Sequence, residues 1–166
     1  MSDLKNLYEE DTVAWAENQA AALRAAARGN SNQPLDWENL AEEIEDLGKS
    51  ITRGVQSHVR NIIEHLIKLE HSPATQPRED WRDSIESARA EIEALLEESP
   101  SLKPRVADII RSETPRAAKV AIAKLKSRHE LDASLERTFR TKSYLDLFSY
   151  TSEQILGDWF PPEPKT

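Results

Sequence analysis

The sequence predicts an all-α protein, an elongated antiparallel bundle of four main helices, on three observations. Apolar residues recur at steps of three and four along most of the chain, and no stretch alternates as a half-buried strand would. The 166 residues include only 4 glycines and no cysteine, which excludes a glycine-rich phosphate loop and a disulfide framework. Finally, 31% of the residues are charged and no apolar run is long enough to span a membrane.

We expect one helical domain covering 1–166, because single domains usually contain about 100 to 200 residues. The bundle is predicted over about 3–131 and an aromatic tail over about 132–166. The composition favours a soluble, cytoplasmic protein, since acidic residues precede the alanine-rich stretch that would otherwise look like a targeting peptide.

The first helix is predicted over 3–28, with Trp15, Asn18 and Ala22 among the residues on its inner face. Gly29 follows where a residue in the left-handed conformation commonly ends a helix. The inner face and the terminating glycine together predict where this helix packs and where it stops.

The second helix is the dominant element and is predicted over 36–71, with Asp36 as its N-cap. Gly48 and Gly54 lie inside it and indicate close backbone packing or a bend, since an interior glycine otherwise only weakens a helix. Its apolar stripe consists of Trp37, Leu40, Ile44, Leu47, Ile51, Val55, Val59, Ile62, Leu66 and Leu69.

A third helix is predicted over 79–98, where Trp81 and Ile85 begin a regular apolar stripe. Ser101 can cap a fourth helix. Because threonine before proline is typical of a helix start, we expect that fourth helix to be broken near Pro115.

The C-terminal tail holds six of the ten aromatic residues, so it is predicted to dock on the bundle. Thr151 and Gln154 have the spacing of a capping box, and Gly157 stops the short helix that follows. A helix of one or two turns is unstable alone, which again requires docking.

With these segments in order, the chain resembles the bacterial family of the domain of unknown function 29. The resemblance implies helical architecture and no established activity, so no catalytic residue is carried over. It rests on LYEEDTVAWAENQAAALR at 7–24, DWENLAEEIEDLG at 36–48, EHLIKLE at 64–70, EDWRDSI at 79–85, LLEESPSL at 95–102 and TSEQILGDWFP at 151–161.

A candidate polar core site is formed by His58, Asn61 and His65. Eighteen residues make five helical turns, which places His58 in line with Leu40 and His65 in line with Leu47, both predicted to face the core. One interpretation is a metal-assisted hydrolase or oxidase that uses His58 or His65 with carboxylates of the bundle. The favoured interpretation is histidine at the edge of the core, because the two histidines lie about 10 Å apart along the axis and cannot easily share an ion.

The charges are separated along the chain. Segment 103–142 holds eleven of the 22 Lys and Arg residues and five Asp and Glu residues, which gives it a local net charge of +6. Since the whole chain has a net charge of −8, the rest of the chain carries −14. The candidate acidic face is Glu38, Glu42 and Glu45. The candidate basic face is Lys119, Lys124, Lys126 and Arg128.

These patterns favour a protein-interaction or accessory module without catalysis. No catalytic residue, metal ligand set or cofactor site is predicted, and the separated charges favour a homo-oligomer or a protein partner. Nucleic-acid binding through 103–142 is the third interpretation, and the low pI of about 5.1 speaks against it.

Overall fold

A computed structural model of the chain describes residues 2–29 and 35–163. Within these ranges it contains eight α-helices, one 3₁₀ helix and no strand, which confirms the all-α class and the helical bundle. The helices are α1 (Ser2–Glu10), α2 (Thr12–Arg28), α3 (Trp37–His71), α4 (Arg78–Glu98), the 3₁₀ helix (Pro100–Arg105), α5 (Val106–Ser127), α6 (Ala133–Thr141), α7 (Tyr144–Leu147) and α8 (Ser152–Leu156). The four longest, α2 to α5, are the four main helices that the sequence predicts.

The described residues fall into two compact units. The first unit comprises those of Met1–Val55 and Ala94–Arg105, and the second those of Gln56–Glu93 and Val106–Thr166. Helices α3 and α4 each contribute residues to both units. The single domain and the elongated shape expected from the sequence stay predictions.

The N-terminal helix is interrupted at Asp11, so the prediction of one helix over 3–28 is wrong. Asp11 has an extended backbone (φ −159°, ψ 93°), and its carboxylate accepts a hydrogen bond from the Ala14 amide as the N-cap of α2. The same carboxylate accepts hydrogen bonds from the amide and the hydroxyl of Ser101. The cap of α2 and the two hydrogen bonds from Ser101 all require Asp11 outside the helix, so together they stabilise the break.

The break also changes which face of α2 is buried. The buried residues are Val13, Ala16 and Ala20, not Asn18 and Ala22 as the register counted across Asp11 predicts. Gly29 ends the helix with φ −81°, so its predicted left-handed conformation is wrong as well.

The two glycines of α3 lie at close contacts, as predicted. A Cβ atom on Gly48 would be 3.4 Å from the Ala16 Cβ, and one on Gly54 would be 3.3 Å from the Leu95 Cδ1. Glycine at position 48 therefore lets the backbone of α2 approach α3, and Gly54 leaves room for the Leu95 side chain of α4.

In the second unit, the apolar stripe of α3 is buried as predicted, and residues of α4 contribute to the same core. The fully buried stripe residues of α3 in this unit are Val59, Ile62 and Leu66, with Leu69 at 1% exposure. The buried residues of α4 in this unit are Trp81, Ile85, Ala88 and Ile92. The predicted stripes are confirmed for the parts of α3 and α4 that belong to this unit.

Helix α5 continues through Pro115, so the predicted break is wrong. The Thr114 hydroxyl donates to the Ile110 carbonyl instead of capping a new helix. Proline has a φ compatible with a helix and removes one hydrogen bond, and buried residues occur on both sides of it, including Ile110 and Ala118. The helix also begins later than predicted, because Ser101 lies in the 3₁₀ helix and donates its hydroxyl to Asp11.

The aromatic tail packs within the second unit, as predicted. Thr151 and Gln154 form the capping box of α8, and Gly157 ends it. The Arg89 guanidinium of α4 donates to the carbonyls of Gln154, Ile155 and Trp159 and lies over the Phe160 ring. These contacts explain how a five-residue helix stays in place.

Candidate functional site

The polar ladder of His58, Asn61 and His65 lies at the edge of the second unit's core and not inside it. His58 and His65 are half-buried and Asn61 is exposed. The His65 Nδ1 donates to the Asn61 backbone carbonyl at 2.8 Å, and burial lowers the pKa of His65. The expectation that both histidines face the core is therefore wrong. The bond from His65 to the Asn61 carbonyl agrees with the favoured interpretation of a histidine at the edge of the core.

His58 borders an open groove of about 480 Å³ between α3 and α4. The other residues that line it are Ser57, Asn61, Asp83, Ser84, Ser87, Ala88 and Glu91. No three His, Asp or Glu side chains are placed to hold a metal ion anywhere in the described part of the chain. His65 does not line this groove, so the structure does not bring the two histidines to one site.

The acidic face lies in the first unit and is partly neutralised there. Glu45 forms an ion pair with Arg24 of α2, and the hydrogen bond from Arg24 lowers the pKa of Glu45. Glu38 and Glu42 are exposed. These two acids therefore remain available to groups outside the unit.

The basic face lies in the second unit, where acids of the same unit neutralise part of it. Lys124 bonds Glu64 at 2.6 Å, and Lys126 lies 3.8 Å from Glu136. Burial would raise the pKa of Glu64, but the hydrogen bonds from Lys124 and Lys68 outweigh it and lower the pKa. The remaining members of the face, Lys119 and Arg128, are exposed.

Sequence reasoning missed an exposed apolar surface on the first half of α3. Leu40 is 41% exposed and Leu47 is 44% exposed, although both belong to the stripe predicted as buried. Seven residues make almost two turns, so these leucines lie in one line along the helix, which we call the leucine edge. On its inner side lie three half-buried apolar residues, Trp37, Ile44 and Ile51.

The outer side of the leucine edge is acidic. Asp36 is one turn before Leu40, and Glu43 lies within one turn of both leucines. Both acids are exposed, and no lysine or arginine occurs from 36 to 48. The result is an apolar line between a half-buried core and a negatively charged flank.

One signal in the sequence points to this surface. Eighteen residues make five turns of an α-helix, so Leu40 lies in line with His58 and Leu47 in line with His65 along α3. Because histidines at the edge of a core imply that the whole line is an edge, the leucines belong there too. The exposed surface follows once the histidines are taken as edge residues.

No helix of the described residues is long and apolar enough to cross a membrane. The family model for the domain of unknown function DUF29 matches residues 7–160. The chain is also similar to an α-helical protein of unknown function from Rhodospirillum rubrum ATCC 11170, whose crystal structure was determined at 1.45 Å resolution. The two are 28% identical, with a TM-score of 0.68, over 93% of this chain and 91% of that one. No curated protein matches the chain.

Proposed function

Since the chain belongs to the DUF29 family, whose description carries no activity, we propose from its own surface that it is a protein-interaction module without catalysis of its own. The observation that carries this proposal is the leucine edge. Single exposed leucines are common on proteins, but two in line beside three half-buried apolar residues form a continuous stripe. Such stripes mark protein-binding surfaces.

The two alternatives from the sequence have less support. Metal-assisted chemistry at His58 or His65 needs carboxylate ligands beside the histidine, and in the described part of the chain no three His, Asp or Glu side chains are placed to hold a metal ion. Nucleic-acid binding needs lysine and arginine side chains that are free to contact phosphates. Lys124 and Lys126 instead each contact a glutamate of the same unit. The acidic, cysteine-free composition supports a cytoplasmic location as part of the proposal.

The proposal is tested by quantitative affinity capture from the native cell. The tagged protein is compared with a Leu40→Glu, Leu47→Glu double variant and with Val120→Glu. Val120 is the matched control, because it is an apolar residue of a different helix with a similar exposure of 40%.

We expect at least one protein to be retained by the wild type and by the Val120→Glu variant and to be lost from the double variant. Retention that is equal for all three proteins, or no retained protein with wild type, contradicts the proposal. Circular dichroism and thermal unfolding confirm that the variants fold, since exposed sites usually change stability by about 0.5 kcal/mol or less.

A further inference from the structure

The leucine edge is the continuation of a line that α4 already occupies in the first unit. Gly54 lies seven residues after Leu47, so Leu40, Leu47 and Gly54 share one line along α3. The Leu95 side chain of α4 packs at Gly54. One helix thus covers this line at its C-terminal end, while Leu47 and Leu40 stay exposed.

The chain leaves this line directly after α4. Helix α4 ends at Glu98, and the Ser99 hydroxyl accepts a hydrogen bond from the Val13 amide of α2. Ser101, in the 3₁₀ helix, bonds Asp11 at the start of α2. These bonds direct the connection towards α2, so no helix of residues 2–29 and 35–163 covers the leucine edge, and Leu40 and Leu47 stay exposed.

The charges beside the edge select the kind of helix that fits there. Asp36 and Glu43 are exposed on the outer flank, and this half of α3 carries no base before Lys49. The acidic flank would repel a partner helix that places aspartate or glutamate opposite it. It would attract a partner helix that places lysine or arginine at those positions. Its apolar residues would contact Leu40 and Leu47, about 10 Å apart along the axis.

We propose that the partner docks a basic amphipathic helix on the leucine edge, in the position that α4 leaves vacant after Glu98. This inference rests on the proposed function and adds the chemistry of the partner. A leucine or methionine stripe contacts Leu40 and Leu47, and basic residues beside that stripe face Asp36 and Glu43.

A second copy of the chain fits this role less well. Its basic face lies mainly on α5, where Lys124 and Lys126 already contact Glu64 and Glu136. Among the described residues, the exposed members of this face that make no such contact are Lys119 and Arg128, nine residues apart. Using Lys124 and Lys126 at an interface would require breaking contacts inside the unit. The partner is therefore assigned to a different protein.

The test uses a displayed library of 18-residue helical peptides with a constant leucine stripe and with lysine or glutamate varied at the flanking positions. The library is selected on the full-length protein, and the selected peptides are measured by fluorescence anisotropy at low and high salt. We expect enrichment of lysine on one flank and binding that weakens as salt is raised.

Three variants of the protein locate the binding. Leu47→Glu is expected to weaken the affinity for the peptide by roughly 10- to 100-fold, as expected for a residue at the centre of an interface. Asp36→Asn with Glu43→Gln is expected to weaken it by roughly 2- to 5-fold and to remove the preference for lysine. Val120→Glu, the control, leaves the affinity unchanged.

Enrichment of glutamate, no preference between the two charges, or binding that Leu47→Glu leaves intact would overturn the inference. A wild-type protein that forms dimers through this edge and binds no peptide would overturn it as well. If cellular capture depends on the two leucines but the selected peptides are not basic, the proposed function stands and only the chemistry of the partner is wrong.

Discussion

Replacing Asp11 by alanine tests whether this residue joins the N-terminal helices to the connection between α4 and α5. The Asp11 carboxylate caps α2 and accepts two hydrogen bonds from Ser101, ninety residues away, and it is only 8% exposed. Loss of the cap costs about 1 kcal/mol. Loss of the charged hydrogen bonds to the partly buried Ser101 adds about 2 kcal/mol.

Asp36→Ala is the matched control, because Asp36 is an exposed N-cap whose carboxylate, among the described residues, accepts hydrogen bonds only from Asn39, three residues away. The unfolding free energy is measured by urea denaturation and the midpoint by calorimetry. We expect a loss of about 3 kcal/mol for Asp11→Ala and about 1 kcal/mol for Asp36→Ala. For a protein of this size, these values correspond to about 6–12 °C and about 2–4 °C in Tm.

Ser101→Ala isolates the tertiary part, because it removes the hydroxyl and keeps the backbone amide. A double-mutant cycle between Asp11→Ala and Ser101→Ala should give a coupling of about 1 kcal/mol. Equal losses for Asp11→Ala and Asp36→Ala, together with no coupling to Ser101, would show that the bonds to Ser101 contribute no stability. Asp11 would then be a local cap only.

Two further predictions concern Arg89 of α4 and His71 at the end of α3. Arg89→Met removes the donors to three backbone carbonyls, so amide hydrogen exchange measured by mass spectrometry should become faster over 152–163. The control is Arg53→Met, because the Arg53 Nε donates to a carbonyl of its own helix, and it should leave exchange over 152–163 unchanged. Unchanged exchange in the Arg89→Met variant would show that Arg89 does not hold the segment. Burial lowers the pKa of His71, so the unfolded chain binds its proton more readily and the fold loses stability as pH falls below about 6.5. His71→Phe should remove this part of the dependence, so the stability of wild type relative to the variant falls between pH 7 and 5, by at most about 1.4 kcal/mol per pH unit. Burial raises the pKa of Glu70, which acts with the opposite sign, and the Glu70 carboxylate lies 3.8 Å from the His71 Nε2, so both proteins are compared in a Glu70→Gln background. A difference that is constant with pH would contradict the assignment to His71.

Features that depend on neighbours in the chain were accessible from the sequence. Thr151 and Gln154 cap α8 because both partners lie within one turn, and Gly157 ends the helix directly after it. The burial of Val59 and Leu66 follows from the helical period alone. These local relations account for the bounds of α3, α4 and α8, which are predicted to within one residue.

Features that depend on distant residues were not accessible. Asp11 has the spacing of a helical residue, and only the contact with Ser101 shows why the helix breaks there. Pro115 after Thr114 has the pattern of a helix start, but burial on both sides keeps α5 continuous. Local pattern and tertiary contact compete at both positions, and the contact decides.

The candidate site shows the same limit. The apolar stripe of α3 identifies Leu40 and Leu47 as apolar, but it does not tell which residues another helix covers. That depends on where α4 ends, at Glu98, and on the path of the chain towards Asp11. The alignment of the leucines with His58 and His65 was the one indication in the sequence of their exposure.

Site-specific photo-crosslinking in the native cell tests directly whether the leucine edge binds a protein. A photoreactive phenylalanine analogue is placed at position 47 or, as the control, at position 120. We expect a crosslinked protein partner from position 47 that disappears when Leu40→Glu is added, and none of that species from position 120. The same crosslinked species from both positions, or none from position 47, would contradict the claim that the leucine edge binds a protein.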